Sequence, residues 1–80
     1  MATKKKAERA ARKALRKTGT LTDDLRAHDE DGRRVFRIAA VTTDLDDPVA
    51  DIEAQLSELF GEPVKVVIGK VVSTDEWFAE

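Results

Sequence analysis

The sequence predicts an α+β fold: a basic N-terminal helix followed by a small ββαβ(β) body with one amphipathic helix packed on a sheet. Three observations predict this class. Apolar residues recur at helical spacing between Asp47 and Phe60. Two runs rich in β-branched residues, 33–42 and 64–68, flank that segment. Residues 4–18 are mostly Ala, Lys and Arg, which are good helix formers.

Residues 1–19 are predicted to form a basic helical arm that ends at Gly19. One side of its helical wheel carries alanines and a single large apolar residue, Leu15, so docking on the body would bury little area. Lys4 to Lys6 lie unfavourably at the positive end of the helix dipole. We therefore expect the arm to fray, or to become ordered when it binds a partner. The other side of the wheel is basic and comprises Lys5, Lys6, Arg9, Arg12, Lys13, Arg16 and Lys17.

Residues 20–80 are predicted to form a small acidic α+β domain that begins with a β-hairpin. Residues 20–28 fit either a short helix capped by Thr22 or a first strand. The strand is favoured because Asp29-Glu30-Asp31-Gly32 is typical turn sequence before an apolar run. Residues 33–42 form the second strand.

The second strand is predicted to place Phe36, Ile38 and Ala40 on the core face. The opposite face, with Val35, Ala39 and Val41, is also apolar except for Arg37. We expect the arm or a second subunit to cover part of that face. A homodimer would serve a body of this size because it buries more apolar surface.

The spacing predicts a helix from Asp47 to Phe60. Asp47 is a good N-cap, Pro48 suits the first helical position, and Gly61 followed by Pro63 ends the helix. The face toward the core is Val49, Ile52, Leu56, Leu59 and Phe60, and the outer face is Asp51, Glu53, Gln55 and Glu58.

Residues 64–68 are predicted to be a strand, parallel to residues 33–42 across a right-handed crossover. Gly69-Lys70 fits a bulge or a two-residue hairpin turn, after which residues 71–74 continue or return as a further short strand. Trp77 and Phe78 then either close the edge of the core or form an exposed anchor for a partner.

The formal net charge of −2 conceals a strong asymmetry. Residues 1–20 carry eight bases against Glu8 alone, a net charge of +7. Residues 21–80 carry six bases against fifteen acids, a net charge of −9. A basic arm joined to an acidic body predicts that any contact with phosphates is confined to the arm.

Several chemistries are disfavoured by the residues present. The chain has no cysteine for a disulfide or a thiolate site. Gly69-Lys70 is not a phosphate loop, because positions 64 and 71 are both Val. The acidic turn 29–31 lacks the first ligand of a calcium loop, and capping explains the acids at 44–47. His28, expected in an exposed turn, has no nucleophile beside it, and Ser57 and Ser73 have no triad signature.

We therefore expect a non-enzymatic binding module without cofactor or metal, located in the cytoplasm. Its basic arm is predicted to contact DNA or RNA phosphates without sequence specificity, and no aromatic residue lies among the bases for stacking. An alanine side also disfavours a membrane surface. One alternative is a solvated tail, and another is an arm that pairs with acidic surface of its own body or of a second copy. A third is a protein-interaction module, inhibitor or adaptor that uses the acidic body or the C-terminal Trp-Phe segment. The predicted protein-interaction residues are Trp77, Phe78, Asp51 and Glu58.

Overall fold

A computed structural model describes residues 4–79 and shows an α+β architecture. An N-terminal helix precedes a three-stranded mixed sheet, and a second helix packs on that sheet, as the sequence predicts. The strands lie in the order β1-β2-β3, with β1 antiparallel to β2 and β3 parallel to β2. The elements are α1 (Lys4–Lys17), β1 (Leu21–Glu30), β2 (Arg33–Thr42), α2 (Pro48–Phe60), β3 (Val64–Val71) and α3 (Thr74–Trp77).

The hairpin between β1 and β2 has a two-residue turn, Asp31-Gly32. Both residues have positive φ, 53° and 76°, as the tight turns that match strand twist require. Glu30 pairs with Arg33 on either side of the turn, and the pairing runs back to Leu21. The strand prediction for residues 20–28 is thus confirmed and the helical alternative is wrong.

The two long helices pack on the same face of the sheet. Ala11 and Leu15 of α1 and Leu56 of α2 have no solvent exposure, and all three belong to one core cluster. Helix α1 thus packs on the body through the small side chains of its inward side, whereas the expectation that it frays or becomes ordered on binding stays a prediction. The cluster comprises Ala7, Ala11, Leu15, Leu25, Ala27, Phe36, Ile38, Val41, Ile52, Leu56, Val64 and Val66.

The alternation of inward side chains on β2 shifts by one residue along the strand. Phe36 and Ile38 lie in the core cluster as predicted, but Val41 joins them and Ala40 does not. The prediction that Val41 faces outward is therefore wrong. The shift coincides with Asp24 of β1, which lies level with Ala39 and has a left-handed backbone with φ of 52°. A left-handed residue interrupts the regular extended backbone of a strand.

Gly69 lies within β3, where it permits a close approach to β2. A β-carbon at this position would lie 2.5 Å from the carbonyl oxygen of Ala39, a distance that forces a displacement. Ile38 pairs with Ile68 and Ala40 with Lys70, so neither strand has an extra residue. Both predictions for Gly69-Lys70, the bulge and the hairpin turn, are wrong.

The local signals of α2 are confirmed, but its buried face is narrower than predicted. Asp47 caps the helix by accepting a hydrogen bond from the Ala50 amide at 3.4 Å, and Gly61 adopts the left-handed conformation. Ile52 and Leu56 are buried and Phe60 is half-buried, stacked on Phe36 with ring centroids 5.5 Å apart. Val49 and Leu59, predicted to face the core, remain 40% and 47% exposed.

The chain ends in the short helix α3 rather than in a further strand. The Ser73 hydroxyl accepts a hydrogen bond from the Glu76 amide at 3.2 Å and so caps this helix. The predicted strand over residues 71–74 is therefore wrong beyond Val71. Trp77 is half-buried, Phe78 is 66% exposed, and neither belongs to the core cluster.

Candidate nucleic-acid interface

The outward side of α1 is set by what its inward side buries. Ala7, Ala11 and Leu15 recur every four residues and face the sheet, so the positions between them point to solvent. A helix of 14 residues is about 21 Å long at 1.5 Å per residue. All seven predicted contact residues on this helix are exposed: Lys5, Lys6, Arg9, Arg12, Lys13, Arg16 and Lys17.

The end of α1 is fixed to α2 by one side chain. The Thr18 hydroxyl lies 3.0 Å from the Leu15 carbonyl oxygen and 3.0 Å from Gln55 Oε1. The next residues continue into β1, where the buried Thr20 hydroxyl lies 2.9 Å from that of Thr43. These contacts hold the last turn of the basic helix at a defined place on the body.

Glu8, the one acidic residue of α1, is engaged at the edge of the sheet. Its half-buried carboxylate accepts a hydrogen bond of 2.7 Å from the backbone amide of Ala27 in β1. An edge strand presents unpaired amides, and this carboxylate satisfies one of them. The sequence reasoning assigned no role to Glu8, although a lone acid on a basic helix was the available signal.

Helix α2 protects the opposite edge of the sheet in the same way. The Glu53 carboxylate accepts from the Val66 amide at 3.0 Å, and the Ser57 hydroxyl accepts from the Val64 amide at 3.1 Å. Ser57 is half-buried against β3, and the prediction that Glu53 lies on the outer face of the helix is wrong.

The face of the sheet away from the helices carries Arg26 and Lys65 beside the predicted Arg37, and the sequence reasoning did not place these two residues there. Arg26 and Arg37 are exposed and lie directly opposite each other on β1 and β2. Asp24 binds Arg26 at 2.8 Å and raises the pKa of its guanidinium by this hydrogen bond and its charge. Lys65 of β3 is also exposed. The expectation that the arm covers this face is wrong, because α1 packs on the other side.

Two grooves run along the flanks of α1. One, of about 260 Å³, is lined by Arg12 and Arg16 together with Thr20, Leu21, Thr22 and Trp77. The other, of about 580 Å³, separates α1 from α2 and is mostly apolar. It is lined by Ala10, Lys13, Ala14, Lys17, Thr18, Gln55, Glu58 and Leu59.

The four predicted protein-interaction residues do not form one surface. Asp51 and Glu58 are exposed on α2, and Glu58 lines the groove between the two long helices. Trp77 lines the groove on the other flank of α1, and Phe78 follows it at the exposed end of α3. The structure instead brings Trp77 beside the basic helix, a proximity that sequence separation concealed.

The remaining candidate group is His28, which the sequence places in an exposed turn. His28 lies on β1 rather than in a turn, half-buried, with Nε2 3.2 Å from a Glu30 carboxylate oxygen. Within residues 4–79, no three His, Asp or Glu side chains converge to hold a metal ion. None of the helices in that range is both long and apolar enough to cross a bilayer.

Comparison with protein-family models, with curated proteins and with solved structures gives no match to this chain.

Proposed function

We propose that the protein is a small binding module whose helix α1 contacts nucleic-acid phosphates without sequence specificity. The observation that carries the proposal is the exposure of seven bases along one helix whose other side is anchored in the core. Each base that neutralises a phosphate releases a condensed counterion, and this release drives binding of DNA or RNA. The anchored helix presents its charges without first having to fold, which lowers the entropic cost of binding.

The charge of the remaining surface limits where the ligand contacts the protein. Residues 21–80 have a net charge of −9, and Asp51 and Glu58 of α2 are exposed. A phosphate backbone is repelled from that side of the molecule. The proposed complex is thus a shallow contact along α1 rather than a wrapped one.

A protein-interaction module is the second candidate, supported by the groove between α1 and α2. Leu59 is 47% exposed there beside Ala10 and Ala14, and Lys17 and Glu58 lie at its rim. An apolar floor between opposite charges suits an amphipathic peptide segment. A homodimer belongs to this candidate as well.

The test compares two sets of three charges on the same chain. Lys5, Arg9 and Arg16 are changed to Gln on α1, and Arg26, Arg37 and Lys65 are changed to Gln on the open sheet face. Both variants lower the net charge by the same amount. Affinity for random duplex DNA and structured RNA is then measured by fluorescence anisotropy at several salt concentrations. We use substitution because deleting residues 1–19 removes Leu15 from the core.

We expect the α1 variant to bind more weakly and to reduce the slope of log affinity against log salt by up to about 3. The sheet-face variant is expected to retain most of the affinity and the slope. Equal losses in the two variants would show that net charge alone is responsible. No binding by the parent chain at low salt would refute the proposal and favour the protein partner.

A further inference from the structure

Trp77 stands beside the basic helix, and this gives the proposed interface a feature that charge alone does not supply. Trp77 lines the same groove as Arg12 and Arg16, which are one helical turn apart on α1 and both exposed. The residue is only half-buried and belongs to no core cluster. A large aromatic ring left accessible next to two guanidinium groups is the pairing by which proteins hold a base and its phosphates.

Backbone hydrogen bonds hold the segment that carries Trp77. The Trp77 amide donates to the Ser73 carbonyl oxygen at 2.8 Å, and the Ser73 hydroxyl caps the same turn. Val72, just before this turn, is buried and donates its amide to Val41 of β2 at 2.8 Å. The ring is thus attached to the sheet through a short, hydrogen-bonded connection rather than carried on a loose end.

We infer that this groove is a subsite for single-stranded nucleic acid, in which one base stacks on Trp77 and the adjoining phosphates contact Arg12 and Arg16. Duplex DNA cannot use the ring in this way, because its bases are already stacked on each other. Leu21 and Thr22, both half-buried, also line the groove. The inference rests on the proposed function and adds that the ligand is single-stranded rather than duplex.

Charged residues on the other side of Trp77 determine on which side of the ring the phosphates lie. There the ring also lines a shallow depression with Asp23, Glu76 and Lys70. The two carboxylates outweigh the single positive charge of Lys70, so this side repels phosphates and the backbone of the strand is directed toward α1. The strand is therefore expected to pass across the ring with its phosphates on the arginine side.

The intrinsic fluorescence of Trp77 can report on binding at this subsite. Trp77 is the only tryptophan, and the chain has no tyrosine, so its ultraviolet-excited fluorescence reports on this one ring. The experiment titrates the full chain with single strands of about ten nucleotides, a usual site length. Oligothymidylate and oligouridylate distinguish DNA from RNA. An abasic strand of equal length supplies phosphates without bases, and a duplex of equal length supplies stacked bases.

We expect oligothymidylate or oligouridylate to quench the fluorescence at saturation, and the abasic strand and the duplex to leave it nearly unchanged even where anisotropy shows them bound. Binding of all four without quenching by any would overturn the subsite and leave the proposed function intact. Binding of none at low salt would refute both. Quenching by an unrelated amphipathic peptide, with no effect of the single strands, would assign the groove to a protein partner.

Two matched pairs of variants complete the test. Trp77→Ala is expected to weaken single-strand binding about tenfold, and Phe78→Ala, the neighbouring aromatic outside the groove, to change it less than twofold. Arg12→Gln with Arg16→Gln is compared with Lys13→Gln with Lys17→Gln, which has the same spacing on the other flank. Only the arginine pair is expected to abolish quenching. Equal effects within either pair would contradict the subsite, and circular dichroism of each variant checks folding.

Discussion

Helices α1 and α2 both pack on the same face of the sheet, but they bury different residues against it. Each also has a carboxylate that accepts a hydrogen bond from the backbone of an edge strand: Glu8 from the Ala27 amide and Glu53 from the Val66 amide. Helix α2 buries Ile52 and Leu56, whereas α1 buries two alanines and Leu15. Their outer faces are opposite in charge.

The difference shows that a small apolar stripe is enough to dock a helix when the stripe permits close approach. Ala11 is fully buried although it contributes little area, because the backbone of α1 lies near the sheet. The alanine stripe leaves the wide remainder of α1 for charged residues. A helix can thus belong to the core and still present a nearly continuous basic surface.

The largest loss of stability is expected when either of the two buried leucines of these helices is truncated. Leu15 and Leu56 both have no exposure, so Leu15→Ala and Leu56→Ala should each lower the free energy of unfolding by about 2–5 kcal/mol. Chemical denaturation followed by circular dichroism measures both. If Leu15→Ala cost far less than Leu56→Ala, α1 would be a loosely attached arm.

An intermediate loss of stability is expected when a larger side chain replaces an alanine on the inward side of α1. Ala11→Val inserts two methyl groups where α1 approaches the sheet, and overpacking of this kind costs about 1–3 kcal/mol. The control is Ala54→Val on the exposed side of α2, where the expected change is within about 0.5 kcal/mol. Thermal unfolding of both variants makes the comparison. Equal, small shifts would argue against close packing of α1.

The smallest loss of stability is expected when either carboxylate that binds an edge strand is removed. Glu8→Ala leaves the Ala27 amide without its acceptor, and Glu53→Ala does the same to Val66, at an expected cost of about 1–2 kcal/mol each. Glu→Gln at either position keeps an acceptor oxygen and should recover part of the loss. Unchanged stability in Glu8→Ala would mean that water replaces the carboxylate at this edge.

The sequence predicts those parts of the fold that are encoded locally. The caps of α2 at Asp47 and Gly61 and the turn at Asp31-Gly32 depend on neighbouring residues, so their types indicate the conformation. The docking of α1 depends on how closely two backbones approach, which composition does not reveal. The inward position of Val41 likewise follows a shift in alternation that no local pattern indicates.

The candidate site likewise combines residues that local sequence identifies with residues that only the fold brings together. The seven bases of α1 are identified from helical periodicity alone, because they are near neighbours in the chain. The proximity of Trp77 to Arg12 and the pairing of Arg26 with Arg37 arise from the tertiary fold. Residues far apart in the chain reach one surface only once the strands have paired.

Amide hydrogen exchange of the free chain tests most directly whether the basic face of α1 exists before any ligand binds. Because Ala11 and Leu15 belong to the same core cluster as Ile52 and Leu56, the amides near the centres of both helices should exchange with similar, strong protection. Rapid exchange throughout α1 beside slow exchange in α2, with α1 protected only after nucleic acid is added, would contradict the account.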